Sequence, residues 1–199
     1  MTGQGVTVAI QAGGKSSRMG QDKALIEVHG RTLLEWVLAR VHDLGDELIL
    51  IANQPEAYAP FKLSCFPDLY PDRGPLAGIY TALTHARRPH VLVVACDMPW
   101  LNPALLRYLI SLREEGDVVT PCWGPYPEPL HAVYSQACRA PIRVCLENGR
   151  LKATAFYDQV RVHLVERKRI AAYDPQGRSF TNVNTPEELA RLRRQPDAY

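Results

Sequence analysis

Short apolar runs alternate along this chain with stretches whose apolar residues recur every three to four positions. Residues 6–10 (VTVAI) read as a buried strand. A glycine-rich turn follows. Leu33, Leu34, Val37, Leu38, Val41 and Leu44 then share one helical face, and Gly45 stands where a C-terminal stop belongs. Residues 47–52 (ELILIA) give a second strand. Residues 75–88 read as a helix with Pro75 in its first turn, and residues 91–96 (VLVVAC) as a third strand, apolar throughout and therefore central. Asn102-Pro103 supplies an N-cap followed by proline at the first helical position, opening a helix to about residue 115. A fourth strand at 117–120, the segment 130–134, a helix near 136–147 and a strand at 160–165 come next. Thr185 and Glu188 have the spacing of a capping box and start the last helix.

Strands alternating with helices predict an α/β fold, a Rossmann-like and mostly parallel sheet sandwiched by helices. Ligands in such folds sit beyond the carboxyl ends of the strands. There is no internal repeat, low-complexity stretch or linker, so residues 1–199 read as one domain.

Composition narrows the function. The formal net charge is +2, from 23 Lys and Arg against 21 Asp and Glu, which gives no case for nucleic-acid binding. The arginines at 191, 193 and 194 read as a solvated helix face. Five cysteines, an odd number without a C-x-x-C pair, argue against a disulfide framework or a structural zinc site and for free thiols. No apolar run is long enough to be a signal segment or to span a bilayer, so the expected location is cytoplasmic, with no membrane partner.

The turn after the first strand runs Gln11-Ala12-Gly13-Gly14-Lys15-Ser16-Ser17-Arg18-Met19-Gly20-Gln21-Asp22-Lys23. Glycines let backbone N–H groups approach a phosphate closely, and consecutive N–H groups form an anion nest. Lys15, Arg18 and Lys23 add positive charge around it. The turn is not a P-loop, because Ala9 stands where the first glycine is required. Nor do Gly13, Gly14 and Gly20 fit the dinucleotide pattern.

Asp97, directly after the most apolar strand, is hard to explain as core and suits Mg²⁺, which takes one or two protein carboxylates together with phosphates. The segment 66–79 (FPDLYPDRGPLAGI) places two aspartates before Gly74-Pro75 and a helix start. Read alone, Asn53 is a strand-end turn residue, and Asn182 and Asn184 are turn formers before a helix.

Four motifs in order, A-G-G-x-x-x-R-M-G-x-D-K, G-P-L-A-G, C-D-M-P and N-V-N-T-P-E-E-L, make the chain resemble the molybdenum cofactor guanylyltransferases over about residues 6–189. The family usually has Leu where Gln11 stands, in a segment near the base. The resemblance implies a fold of the nucleotide-diphospho-sugar transferase type. It implies nucleotide binding by Gln11, Ala12, Gly13, Gly14, Lys15, Arg18, Lys23, Asn53, Asp68, Gly74, Pro75, Leu76, Gly78 and Asp97. Asp68 rather than Asp72 takes the aspartate role, on spacing. Arg18, Lys23 and Asp97 would be catalytic, Asp97 would hold Mg²⁺, and Asn182 and Asn184 would lie on the acceptor or metal side. Residues up to about 100 would bind the nucleotide, and the later part would complete the acceptor site, with residues 127–134 on that side. His131 within that segment reads as a core histidine slightly sooner than as a substrate contact.

The implied reaction transfers GMP from GTP to the phosphate of a molybdopterin-type cofactor and releases pyrophosphate. These two substrates are the expected partners, with room for transient contacts to cofactor-biosynthesis proteins or molybdoenzymes. A cytidylyl- or sugar-1-phosphate nucleotidyltransferase is the nearest alternative. A non-catalytic carrier of GTP or cofactor is the alternative from another class, and intact Lys23 and Asp97 count against it.

Overall fold

In a computed structural model of the chain, residues 5–12 and 22–194 are described. The element order is β1 (Val6–Gln11), β2 (Glu27–Val28), β3 (Arg31–Thr32), α1 (Leu33–Val41), β4 (Glu47–Ile51), β5 (Ser64–Phe66), α2 (Pro75–His85) and β6 (His90–Ala95). Then come α3 (Pro103–Ser111), β7 (Val118–Cys122), β8 (His131–Ser135), α4 (Arg139–Glu147), β9 (Val162–Glu166), α5 (Arg167–Ile170) and α6 (Pro186–Arg194). Seven strands form one sheet in the order β5-β4-β1-β6-β8-β7-β9, and β2 and β3 form a separate small ribbon. The pairings β5-β4, β4-β1, β1-β6 and β7-β9 are parallel. Strand β8 runs against both its neighbours. Strand β6, apolar from Val91 to Ala95, lies in the middle of the sheet, as its composition requires.

Alternation along the strands divides the core into two layers. Val6, Val8 and Ile10 of β1 pack with Leu34, Val37 and Val41 of α1 and Leu105, Leu106 and Leu109 of α3. Ala9 faces the other way, towards Leu76, Ile79, Ala82 and Leu83 of α2 and Ile142, Cys145 and Leu146 of α4. Helices therefore cover both faces. Each large apolar side chain fully buried there contributes about 1.5–3 kcal/mol relative to exposure.

Helix α1 starts at a capping box: Glu35 N donates to Thr32 Oγ1 (3.1 Å), and Thr32 N donates to Glu35 Oε2 (2.6 Å). It ends at Val41, before the expected stop. Gly45 has another task. A Cβ there would stand 2.7 Å from Val6 O and 2.9 Å from Val8 Cγ2, so only glycine lets the chain pass this close to β1. Helix α3 is capped by Asn102, whose Oδ1 accepts from Ala104 N and Leu105 N. Thr185 and Glu188 form the expected box, with Thr185 N donating to Glu188 Oε2 (3.0 Å) and Glu188 N donating to Thr185 Oγ1 (3.2 Å). Helix α6 then lays Leu189 and Leu192 on Ile26, Val28 and Leu33, joining the end of the chain to the β2–β3 ribbon. Among the described residues, no helix is long and apolar enough to cross a membrane.

Candidate functional site

Strands β1, β4, β5 and β6 are parallel and in register, so Gln11, Ile51, Phe66 and Ala95 end at one edge of the sheet. The residues just past those ends gather in one place. Ala12, Asn53, Asp68 and Asp97 all line a cavity of about 550 Å³. Helix α2 adds its N-terminus through Gly74 and Pro75, where the positive end of the helix dipole favours an anion. Gly74 has φ +70, a conformation that L side chains rarely adopt.

One end of the cavity is charged. Lys23 Nζ donates to Asp97 Oδ2 at 2.9 Å and to Asn184 Oδ1 at 2.6 Å. Both side chains of the Lys23–Asp97 ion pair are only 17% exposed, so solvent screens the pair less than it would a surface pair. An ammonium has three donors, and these two bonds leave one for a ligand oxygen. The Asp97 carbonyl accepts from Val183 N (2.9 Å), which fixes the 182–184 segment against the end of β6. Asn182 also lines the cavity, and its buried Oδ1 has no partner among the described residues.

The other end is built from amides and a shielded carboxylate. Asp68 N donates to Asn53 Oδ1 (2.9 Å), and Asn53 Nδ2 donates to Asp68 Oδ2 (3.3 Å), tying the ends of β4 and β5 together. Asp68 Oδ1 is buried without a partner among the described residues. Burial holds the Asp68 carboxyl above its ordinary range, an effect that the Asn53 hydrogen bond partly offsets. Gln11, only 6% exposed, lies at this end with Nε2 turned to Pro75 O (3.4 Å).

Gly13, Gly14, Lys15 and Arg18 lie outside the described residues. The residues on either side of their segment, Ala12 and Lys23, both line the cavity. Leu76 does not. It is fully buried in the core layer between α2 and the sheet, because the first turn of α2 points it inward. Gly78 also stays off the cavity wall and instead backs the Gln11 side chain. Asn184 reaches the site through Lys23 rather than by lining the cavity.

Asp72, Cys96 and Leu130 line the cavity as well; Asp72 was passed over for Asp68 on spacing, and Cys96 and Leu130 lay within the C-D-M-P motif and the 127–134 acceptor segment without a role of their own. Cys96 is buried, which pushes its thiol up and keeps it protonated at neutral pH. Asp22 was legible only as part of the turn motif. Its Oδ1 caps the short 3-10 turn by accepting from Ala24 N, and its Oδ2 accepts from Tyr58 Oη at 2.6 Å, which anchors the residue before Lys23. His131 is fully buried against Phe180, at 4.9 Å between rings, with neither ring nitrogen bonded among the described residues. Burial holds its pKa down to about 3, so it stays neutral and belongs to the core.

The donor set suits a hard divalent cation shared with phosphates. Among the described residues no three His, Cys, Asp or Glu side chains converge as in an all-protein metal cage. Asp97 supplies one carboxylate, and the unpartnered Asn182 Oδ1 supplies a neutral oxygen. Mg²⁺ takes few protein ligands and fills its shell with water and substrate oxygens, so these residues fit it.

A cavity at the carboxyl edge of a parallel α/β sheet, with a lysine–aspartate pair and a helix N-terminus on its wall, suits a nucleotide bound together with a divalent cation. Comparison with known proteins agrees. Residues 8–163 match the family model described as the MobA-like NTP transferase domain, and the chain belongs to that family. It is 38% identical over 186 residues to the molybdenum cofactor guanylyltransferase of Desulfosudis oleivorans, covering 92% of each chain. The crystal structure of molybdopterin-guanine dinucleotide biosynthesis protein A from Archaeoglobus fulgidus superimposes with a TM-score of 0.84 at 28% identity, covering 94% of this chain and 96% of that one. The 2-C-methyl-D-erythritol 4-phosphate cytidylyltransferase of Thermus thermophilus superimposes with a TM-score of 0.70 at 22% identity, covering 94% of this chain and 97% of that one. That likeness concerns the fold alone, which is the nucleotide-diphospho-sugar transferase type.

Proposed function

We propose that this protein transfers GMP from GTP to the phosphate of a molybdenum–molybdopterin cofactor, forming the guanine dinucleotide cofactor and pyrophosphate. The observation that carries this reading is the Lys23–Asp97–Asn184 constellation, held at the strand ends of a cavity large enough for a nucleotide. The names of its relatives point to the same reaction.

In this reading, an oxygen of the acceptor phosphate attacks the α-phosphorus of GTP. The bond from that phosphorus to the bridging oxygen breaks in line, and pyrophosphate leaves with the electron pair. The acceptor is already an anion, so no strong general base is required, and the protein contributes positioning and charge neutralisation. Lys23 directs its remaining N–H at a phosphate oxygen and offsets the charge that gathers on the leaving group. Lys15 and Arg18 of the glycine-rich turn would take the remaining phosphate charge. Asp97 and Asn182 would hold Mg²⁺, which when bound neutralises and orients the phosphates. Asn184 keeps the Lys23 ammonium in place from the acceptor side. The residues up to about 100 serve the nucleotide, and those after them complete the acceptor side, in the cytoplasm.

The test is single-turnover conversion of α-labelled GTP with molybdopterin and Mg²⁺. Label appearing in the dinucleotide with one pyrophosphate per turnover is the expected result. Efficient transfer from CTP and not GTP would keep the class and overturn the named substrate. GTP binding without pyrophosphate release would favour the carrier.

A further inference from the structure

Gln11 is the last residue of β1, between Ile51 of β4 and Ala95 of β6 in the parallel part of the sheet. It shares the sheet face of Ala9, whose side chain is core, so an apolar residue would satisfy the strand pattern there. The chain instead places a carboxamide, 6% exposed, at the cavity wall. The carboxamide has little room to turn. It lies against Gly78 of α2, where a Cβ would stand 1.9 Å from Nε2 and 2.3 Å from Cδ. Nε2 donates to Pro75 O at 3.4 Å, which fixes the orientation of the amide. Oε1 is then the free end, buried and without a partner among the described residues.

A buried acceptor without a donor is costly, and the cost is removed when a ligand brings an N–H or O–H. Phosphate oxygens are acceptors too and cannot fill this role. The charged end of the cavity, with Lys23, already serves them. Two other buried acceptors on the cavity wall lack partners among the described residues, Asp68 Oδ1 and Asn182 Oδ1. A base that suits the Gln11 oxygen presents a donor to it. Guanine does so, with its ring N1–H beside its 2-amine. Adenine presents a ring acceptor and a C–H at the same two positions.

We infer that the Gln11 carboxamide is a specificity-determining group, whose Oε1 accepts a hydrogen bond from the donor edge of guanine. This rests on the guanylyl reading and extends it to one atom. Gly78 has its own part. It leaves the space that lets the carboxamide lie flat between β1 and α2, and any side chain there would push Oε1 off its position.

The experiment measures equilibrium binding of GTP, ATP and inorganic tripolyphosphate, with Mg²⁺, to the full chain and to Gln11→Leu. The expected result is a fall of about tenfold in the GTP-to-ATP affinity ratio, all of it on the GTP side, because a site built to pair a polar edge loses discrimination when that group goes. ATP and tripolyphosphate should bind the variant as they bind the parent. Gln11→Met, unbranched and of similar length, repeats the measurement should leucine not fit beside Gly78. An unchanged ratio in a folded variant overturns the inference and makes Gln11 a space-filler. Equal losses for GTP and ATP also overturn it, since the oxygen would then serve the ribose hydroxyls. A parent protein that prefers another base overturns the inference together with the guanylyl reading, and so is distinguishable from the two preceding results.

Discussion

The two ends of the cavity solve different problems with different groups. At the charged end, the strong charges among the described residues are partnered within the protein: Lys23 is held by Asp97 and Asn184, which come from distant parts of the chain. At the other end, acceptors on Gln11 and Asp68 lack partners among the described residues, as Asn182 Oδ1 does at the first. A satisfied ion pair is rigid and ready to neutralise charge as it develops, so it serves rate. An unsatisfied acceptor is paired only by a ligand that brings a donor to it, so it serves choice. Damage at the first end should therefore lower turnover, and damage at the second should alter affinity and selectivity.

The largest test of that division is Asp97→Ala. It removes the carboxylate that fits Mg²⁺ and also leaves Lys23 without its ion partner. Turnover should fall by about 10³-fold or more, while GTP affinity in the absence of metal changes little. Single-turnover kinetics beside metal-free binding would check this, and near-parental turnover would break the comparison. Lys23→Ala comes next. A loss of about 10²–10³-fold in kcat is expected, because a preorganised cation is removed from the leaving group. The GTP-to-ATP affinity ratio should stay as in the parent. Asn184→Ala acts only through the position of the ammonium. A drop of about tenfold in kcat, with the binding constant for GTP unchanged, separates positioning from binding.

The smallest effect is expected at the other end. In Asp68→Asn the carboxamide can still accept from Asn53, but a buried charge is gone. Because burial raises the Asp68 carboxyl, the folded protein holds that proton more tightly than the unfolded chain does. Its contribution to stability is therefore fully present below the ordinary carboxylate pKa, and it is lost as the pH rises through the raised value. At neutral pH the ligand-free variant should melt ~1–3 °C higher than the parent, and the gap should close in acid. GTP should bind it more weakly by a few-fold, about the value of one weakened hydrogen bond. Melting curves across pH, with and without GTP, would show both. A variant that binds GTP as well as the parent does would remove Asp68 from the base end.

The legible parts of the fold were those with local causes. The apolar runs at β1, β4 and β6 and the caps at Asn102 and Thr185 depend on neighbours in sequence. The Thr32–Glu35 box has the same spacing as Thr185–Glu188 and could have been read in the same way. Strand β5 could not. Its three residues, Ser64–Phe66, follow a Pro-containing 3-10 stretch and exist as a strand only because β4 offers them an edge. The β2–β3 ribbon has two residues a side and is held by α6, which arrives about 160 residues later.

The site divides along the same line. Asp97 was legible because a charge directly after a wholly apolar strand has no core explanation. Lys23 was legible from its motif. Their ion pair was not, and neither was the seat of Gln11 on Gly78, since both are contacts across the fold. Gly45 shows the limit well. A glycine after a helical run suggests a helix stop, yet the structure uses it for close passage beside β1.

The bond from Val183 N to the Asp97 carbonyl, and the one from Lys23 to Asn184, have a consequence for synthesis. The strands that end at the cavity leave the ribosome early, and Asn182 to Asn184 follow Asp97 by ~4–17 s at ordinary elongation rates. For that interval a nascent chain can pair β1, β4 and β6 and still lack the residues that seat the lysine. A chain that stops before residue 182 would hold all seven strands of the sheet and lack both of these bonds.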